Sequence, residues 1–397
     1  MNYTFSDRVL TLKPSVIREI LKNSSDPQVI PFSAGNPAPE AFPAKEIAEI
    51  SCNILSQNPI AALQYSLTEG YTPLRETLKT YLQSRHQIGM ESDDVVITSG
   101  AQQIMSLACK VLCNENDVIL CEAPSFIGSL NTFRSMQIRL RGIAMQEDGM
   151  DMQALEQALK EEPRARMIYT IPNFQNPSGI TMSLAKRRRM YELAKQYGII
   201  ILEDNPYGDL RICGQSVPAI KSFDEDGIVI YAGSFSKVIA PGMRVGFTAA
   251  PKAILQKMVV CKQGDDVHTN ILAQMICNAL MTDYDFDAHL ENLRTIYRKR
   301  AELMMELIET HLVLYGVTYH RTEGGLFVWC TLPDSMDMQE FCKKSAENKA
   351  CVVPGNAFLV DENTPCQSFR VNFSTPTLEQ MKKGVAILEQ TAKQMLH

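Results

Sequence analysis

The chain has 397 residues, enough for two or three domains. Its 45% hydrophobic and 21% charged content is that of an ordinary soluble enzyme, and a formal net charge of −6 argues against a nucleic-acid-binding surface as its main purpose. No apolar stretch follows a basic start and no uninterrupted apolar run reaches membrane-spanning length, which predicts a protein that begins near Met1 and stays in the cytoplasm.

Residues 1 to about 30 read as an N-terminal arm carrying one short helix, Ser15 to Lys22. The Gly- and Pro-rich run from Phe32 to Pro43 is a loop. Helical patterns follow over Ala44–Ser56 and Pro73–Arg85. From residue 95 the pattern alternates. Strands are expected at Val95–Thr98, Val118–Cys121, Met167–Ile171, Ile199–Glu203, Ile228–Ala232 and Val245–Ala249, and helices at Ala101–Leu112 and Leu184–Tyr197; from Leu130 onward the reading is mixed. Short β-rich runs alternating with amphipathic helices predict an α/β fold with a largely parallel sheet covered on both faces. A long helix from about Phe286 to His311 should leave this domain, and Val317–His320, Gly325–Leu332, Cys351–Val353 and Ser368–Phe373 suggest a smaller α+β domain. The expected division is 1–45 for the arm and part of the small domain, 46–285 for a large domain and 286–397 for the small C-terminal domain.

Eleven cysteines, scattered, odd in number and without a Cys-x-x-Cys pair, fit reduced core thiols rather than a disulfide framework. There is no Gly-x-Gly-x-x-Gly, no phosphate loop of the Gly-x-x-x-x-Gly-Lys type and no His-x-x-x-His pair, so dinucleotide, nucleoside triphosphate and zinc chemistry have no signature here. The basic run Lys186–Arg189 lies on a predicted helix and reads as a solvated face.

In open α/β sheets the ligand sits at the carboxyl ends of the strands. Five polar turns follow predicted strands: Ser99–Gln102, Glu122–Phe126, Pro172–Gly179, Asp204–Tyr207 and Ser234–Lys237. In the last, Lys237 stands among hydroxyls with Arg244 seven residues on. Partial burial and a neighbouring cation favour a neutral amine able to form an imine with an aldehyde. Ser234, Ser236 and Arg244 suit an anionic phosphate, as does the helix start at Gly100, Ala101 and Gln102. Lysine plus phosphate cup suggests pyridoxal 5′-phosphate, whose third protein partner is a carboxylate at the ring nitrogen. Asp204, at the mouth of a buried strand, needs a cationic partner and suits that place. Tyr207 and Asn176 are donors for the ring oxygen, and Phe126 a face for stacking. Arg370, projecting from a strand-like run, is shaped for a substrate carboxylate. Taken singly these have plainer readings: an N-cap at Ser99–Gln102, a turn at Asn176–Pro177, a core Phe126, a surface salt bridge at Arg370.

The segments Phe32–Glu40, Leu63–Ser66 with Glu69–Arg75, Gln175–Gly179, Asp204–Tyr207, Ser234–Lys237, Cys261–Thr269, Gly324–Trp329 and Phe369–Arg370 resemble the fold-type I aminotransferases of class I/II, nearest the 2-aminoadipate, kynurenine and broad-specificity branch. The resemblance spans nearly the whole chain in the expected order. It implies a large domain with a mostly parallel seven-stranded sheet. It implies that Lys237 holds the cofactor and shuttles a proton, that Asp204 pairs with the ring nitrogen, and that Asn176 and Tyr207 meet the ring oxygen. Gly100, Ala101, Gln102, Ser234, Ser236 and Arg244 would line the phosphate. Tyr65 would reach the phosphate in the neighbouring subunit of a homodimer. Arg370, with Gly35 and Asn176, would take the substrate carboxylate, and Arg18 would meet an acidic side chain. Phe126 stands where relatives often carry Tyr. The activity implied is a ping-pong transfer of an amino group from an L-amino acid to a 2-oxo acid, 2-oxoglutarate foremost. A lyase or decarboxylase on the same fold, and a non-catalytic effector-binding module, are the alternatives. Loops around residues 15–40 and 260–270 are expected to decide the donor.

Overall fold

The computed structural model describes residues 3–10 and 28–396. The predicted helix Ser15–Lys22, and Arg18 with it, lie outside the described residues. Among the described residues twelve strands occur in chain order: β1 Asp93–Thr98, β2 Val118–Ala123, β3 Arg139–Gln146, β4 Gly149–Met150, β5 Ala165–Thr170, β6 Ile200–Asp204, β7 Val229–Ser234, β8 Gly246–Pro251, β9 Thr318–Tyr319, β10 Phe327–Thr331, β11 Val353–Pro354 and β12 Ser368–Asn372.

The larger sheet has the order β1-β8-β7-β6-β5-β2-β3-β4. Strands β7, β6, β5, β2 and β3 run parallel, β8 is antiparallel to both β7 and β1, and β4 folds back antiparallel on β3. The sheet therefore has eight strands where the resemblance implies seven; the extra one is the two-residue β4, which pairs Met150 with Met145. Gly149, at φ +118, makes the reversal possible without a Cβ penalty. The central strands are buried on both faces and read as continuous apolar runs, whereas β3 mixes exposed and half-buried side chains around one buried residue, Ile143.

The helix Ala101–Leu112 lays Ile104, Met105, Leu107 and Ala108 against the sheet. The helix Leu184–Tyr197 begins at Ser183, whose side chain accepts the Lys186 N–H, and ends at Gly198 in the left-handed region. Its basic run is not a uniformly solvated face. Arg187 is fully buried with Met190, Leu193 and Ala194. Its guanidinium donates to the carbonyls of Met182, Pro172 and Pro218 and to Asn173 Oδ1, so the charge is wholly hydrogen-bonded inside.

The smaller sheet, β11-β12-β10-β9, is antiparallel and follows the 26-residue helix Phe286–His311. The segment after Gln28 joins it: Ile30 bridges Ala350, and Asn372 N–H donates to the Phe32 carbonyl at 2.8 Å. This strap runs on past Gly35 over the carboxyl ends of the large sheet's central strands. Residues 260–265 belong to the helix Lys252–Asp265, so only 266–270 of the expected 260–270 loop is non-helical. All eleven cysteines are free thiols. Among the described residues no helix is long and apolar enough to cross a membrane, and no group of His, Cys, Asp and Glu is placed to hold a metal.

Candidate active site

A cavity of about 270 Å³ opens where the polar turns meet at the carboxyl ends of β5, β6 and β7. Lys237 and Ser236 enter it from the turn after β7, with Ser234 at the strand's end; Asp204 and Tyr207 enter from the end of β6. Asn176 comes from the loop after β5, Ala101 and Gln102 from the helix start after β1, and Phe126 from the turn after β2. Arg370 arrives from β12 and Gly35 from the strap. Arg244 lines the edge nearest the helix start, itself in the left-handed region at φ 52.

Lys237 is half-buried, and its Nζ donates to the Gly35 carbonyl at 2.8 Å. Burial, then the positive charges of Arg370 and Arg244, push its amine down to about 8. A substantial fraction is thus neutral near physiological pH. Asp204 is buried; burial pushes its carboxyl up to about 7 against the opposing hydrogen bond from Tyr169. Tyr169 OH donates to Asp204 Oδ2 at 2.8 Å, while Oδ1 is buried without any partner.

Arg370 is held for one task. Its Nη1 donates to Asn176 Oδ1 at 2.8 Å and its Nη2 to the Ser33 carbonyl at 2.9 Å, but Nε is buried and unmatched. The guanidinium lies 4.0 Å from the Phe327 ring centroid and 5.0 Å from that of Phe358. Burial pushes it down to about 10, and no carboxylate among the described residues pairs with it. The surface-salt-bridge reading of Arg370 is thereby replaced. Tyr207 OH accepts from Asn176 Nδ2 at 3.5 Å, and burial pushes the phenol up.

At the other end, Gly100 does not line the cavity but caps the helix Ala101–Leu112 with φ +79, directly against the Arg244 guanidinium. Arg244 Nη2 donates to the Ser99 carbonyl at 3.2 Å. Gly246 must also be bare: a Cβ there would come within 2.7 Å of Gly100 C and 2.8 Å of Ala101 N. The helix thus sits close on β8, with its free N–H groups and Arg244 facing the cavity, an arrangement suited to a phosphate. Ser236 N–H donates to Ser234 Oγ at 3.1 Å.

Two predicted residues are not gathered here. Tyr65 is 81% exposed, its ring edge-on to His268 at 5.9 Å, and Arg18 lies outside the described residues. Other residues take roles that the sequence did not assign to them, although Glu122 opens one of the five polar turns. Glu122, buried, accepts from Thr170 Oγ1, Ile171 N–H and Gln175 Nε2 and so braces the loop that bears Asn176; burial pushes it up to about 7. Ser129 stands behind Tyr169, donating to its hydroxyl at 2.8 Å. Ser33 and Phe327 complete the Arg370 end.

The family profile Aminotransferase class I and II matches residues 27–388. The chain is 38% identical to the aromatic-amino-acid aminotransferase 1 of Thermococcus litoralis, over 98% of this chain and 94% of that protein. It is 37% identical to the 2-aminoadipate transaminase of Thermus thermophilus, over 97% and 95%. Among solved structures it is similar to the Pyrococcus horikoshii kynurenine aminotransferase in complex with PMP, with a TM-score of 0.95, 35% identity and coverage of 99% of this chain and 98% of that one. A match this long, in step with an α/β architecture whose large sheet is mostly parallel, makes the chain a member of the class I and II aminotransferases.

Proposed function

We propose that this aminotransferase holds pyridoxal 5′-phosphate in the cavity around Lys237 and moves the amino group of an L-amino acid to a 2-oxo acid, 2-oxoglutarate foremost, by a ping-pong sequence. The observation that carries the reading is the set of groups brought to one cavity: a Lys237 amine pushed down to about 8, an Asp204 whose Oδ1 has no partner and an Arg370 whose Nε has none. Each answers a different part of the cofactor–substrate pair, and the helix start beside Arg244 answers the phosphate. The residues therefore fit the group.

When bound, the cofactor supplies an aldehyde carbon for the amine and an electron-withdrawing ring. The chain does the rest. Asp204, ionised, supplies the negative charge that a protonated ring nitrogen needs in a dry site. Asn176 and Tyr207 direct donors toward the ring oxygen, Phe126 offers a ring face, and Gly100, Ala101, Gln102, Ser234, Ser236 and Arg244 hold the phosphate. Arg370, assisted by Asn176 and Gly35, fixes the substrate carboxylate. Lys237 Nζ takes the proton from the substrate α-carbon and returns it one position away, its amine, pushed down to about 8, releasing its own proton far more readily than an ordinary lysine.

The same reading assigns residues 46–285 to cofactor binding and residues 286–397, with the arm 1–45, to substrate binding. The strap's pairing with β12 and Ala350 supports that division. It makes the chain a homodimer: Ile60, Leu63, Tyr65 and Leu67 are 57–81% exposed on one short stretch, an apolar face suited to a second copy whose phosphate site Tyr65 would complete. Eleven free thiols support a cytoplasmic setting. The test is chemical. Apo-protein incubated with pyridoxal 5′-phosphate and reduced with borohydride should carry one phosphopyridoxyl adduct, on Lys237. A colourless protein, or an adduct elsewhere, removes the proposal.

A further inference from the structure

Asp204 divides its two oxygens unequally, one bound to Tyr169 and the other left over. The sheet explains how the pair meets. Tyr169 on β5 lies opposite Leu202 on β6 in parallel register. Asp204 is two residues beyond Leu202, so it shares the face on which Tyr169 projects. Tyr169 is completely buried, its ring packed edge-on against Phe133 at 5.3 Å, which leaves the hydroxyl little freedom. Behind it, Ser129 Oγ lies 2.8 Å from the Tyr169 oxygen, on the helix Ile127–Ser135 that begins just after Phe126.

Proton counting fixes the direction of this chain. Once Asp204 is ionised, as a protonated ring nitrogen opposite it requires, the carboxylate has no proton to give, so the phenol proton goes to Asp204 Oδ2 and the serine proton to the phenol oxygen. The relay ends on the carboxylate and runs in one sense only. We infer that Tyr169, with Ser129 behind it, is a positioning residue that holds the Asp204 carboxylate in the single orientation that turns Oδ1 toward the cofactor's ring nitrogen. The inference rests on the proposed cofactor. Without the phenol, the carboxylate loses its only hydrogen-bond donor among the described residues; it is free to turn and less readily ionised. Tyr169 does not line the cavity and acts only through Asp204.

The test uses the full-length apo-protein and two ligands, pyridoxal 5′-phosphate and its carbocyclic analogue in which C–H replaces the ring nitrogen. Tyr169→Phe keeps the ring contact with Phe133 and removes only the hydroxyl. A hydrogen bond to a charged group predicts about tenfold weaker binding of pyridoxal 5′-phosphate. Binding of the analogue, which offers Asp204 no proton, should be unchanged. In an Asp204→Ala background the same substitution should change neither affinity. Ser129→Ala, which leaves Tyr169 in place, should weaken pyridoxal 5′-phosphate alone, by roughly two- to threefold. Equal weakening of both ligands would mean a packing defect and overturn the inference, as would no change in either. If the wild-type protein binds neither ligand, the cofactor assignment is what falls.

Discussion

Lys237 offers a measurement that needs neither substrate nor cofactor. Its amine sits at about 8, against an ordinary 10.5, because the cavity is partly dry and shared with Arg370 and Arg244. Below about pH 8 the lysine is charged in both the folded and the unfolded chain, and folding bears the whole cost of placing that charge in the cavity. Between about 8 and 10.5 the unfolded chain keeps a proton the folded one has released, so stability rises with pH. Above 10.5 both states are neutral and the cost is gone. The gap corresponds to about 3 kcal/mol at most, and water reaching a half-buried amine trims it to about 2 kcal/mol. Lys237→Met removes the titrating group. Apo wild type and variant, unfolded in urea at matched protein concentration from pH 7 to 10, should show the variant more stable at pH 7. The difference should shrink by about 1.5 kcal/mol as the pH reaches 10, since every other titrating group cancels in the subtraction. A small constant offset from the lost hydrogen bond to the Gly35 carbonyl does not affect the slope. Parallel curves across that range would refute the claim that the cavity depresses this amine.

Asp204→Ala should slow the single-turnover half-reaction by about 10²–10³-fold through loss of the charge opposite the ring nitrogen; an unchanged rate, followed by the cofactor's absorbance, contradicts that assignment. Arg370→Lys loses the planar fork that Asn176 and the Ser33 carbonyl hold in place. It should cost about 2–5 kcal/mol in kcat/KM for donors with an α-carboxylate, and almost nothing for amines without one, read from a donor panel. Gly246→Ala sets a Cβ against the backbone of Gly100 and Ala101, neither of which can yield as a flexible side chain would. Thermal unfolding should report a loss of about 1–3 kcal/mol, and affinity should fall more for pyridoxal 5′-phosphate than for unphosphorylated pyridoxal.

How much of this was legible in the sequence depended on how much each residue had to advertise itself. The central strands carry uninterrupted apolar runs because both faces are covered, and the turns after them carry most of the polar residues that line the cavity. Strand β3, next to the two-residue edge strand β4, was not readable, since its side chains mix solvent-facing, half-buried and one buried position and give neither pattern cleanly. Arg187 was misplaced because four consecutive basic residues look like one surface. On a helix they point in four directions, and position 187 falls with 190 and 194 on the inward stripe. The terminal helix Leu378–Met395 did carry a signal, the Thr377 and Gln380 capping box. Tyr169 carried none. A tyrosine inside an apolar strand reads as core until the neighbouring strand brings a carboxylate to its hydroxyl, and that register is a tertiary fact.

The cavity's electrostatics are unfavourable as they stand in the protein alone. Three cations, Lys237, Arg244 and Arg370, face one space, two of them pushed toward neutrality by burial. One carboxylate, Asp204, is pushed the other way and left with an unmatched oxygen. Arg370 and Asp204 are held as they stand by bonds to Asn176, the Ser33 carbonyl and Tyr169, and no described residue answers their charge with its opposite. A ligand pair bearing a phosphate, a carboxylate and a protonatable ring nitrogen answers each charge with its opposite. The free energy withheld during folding is then returned on binding, at the groups that orient the reacting atoms. The same logic gives Lys237 a pH response that depends on occupancy. A phosphate beside Arg244 and a carboxylate on Arg370 cancel the two charges that add to burial in holding its amine down, so inorganic phosphate together with a dicarboxylic acid should raise its pKa in the apo-protein.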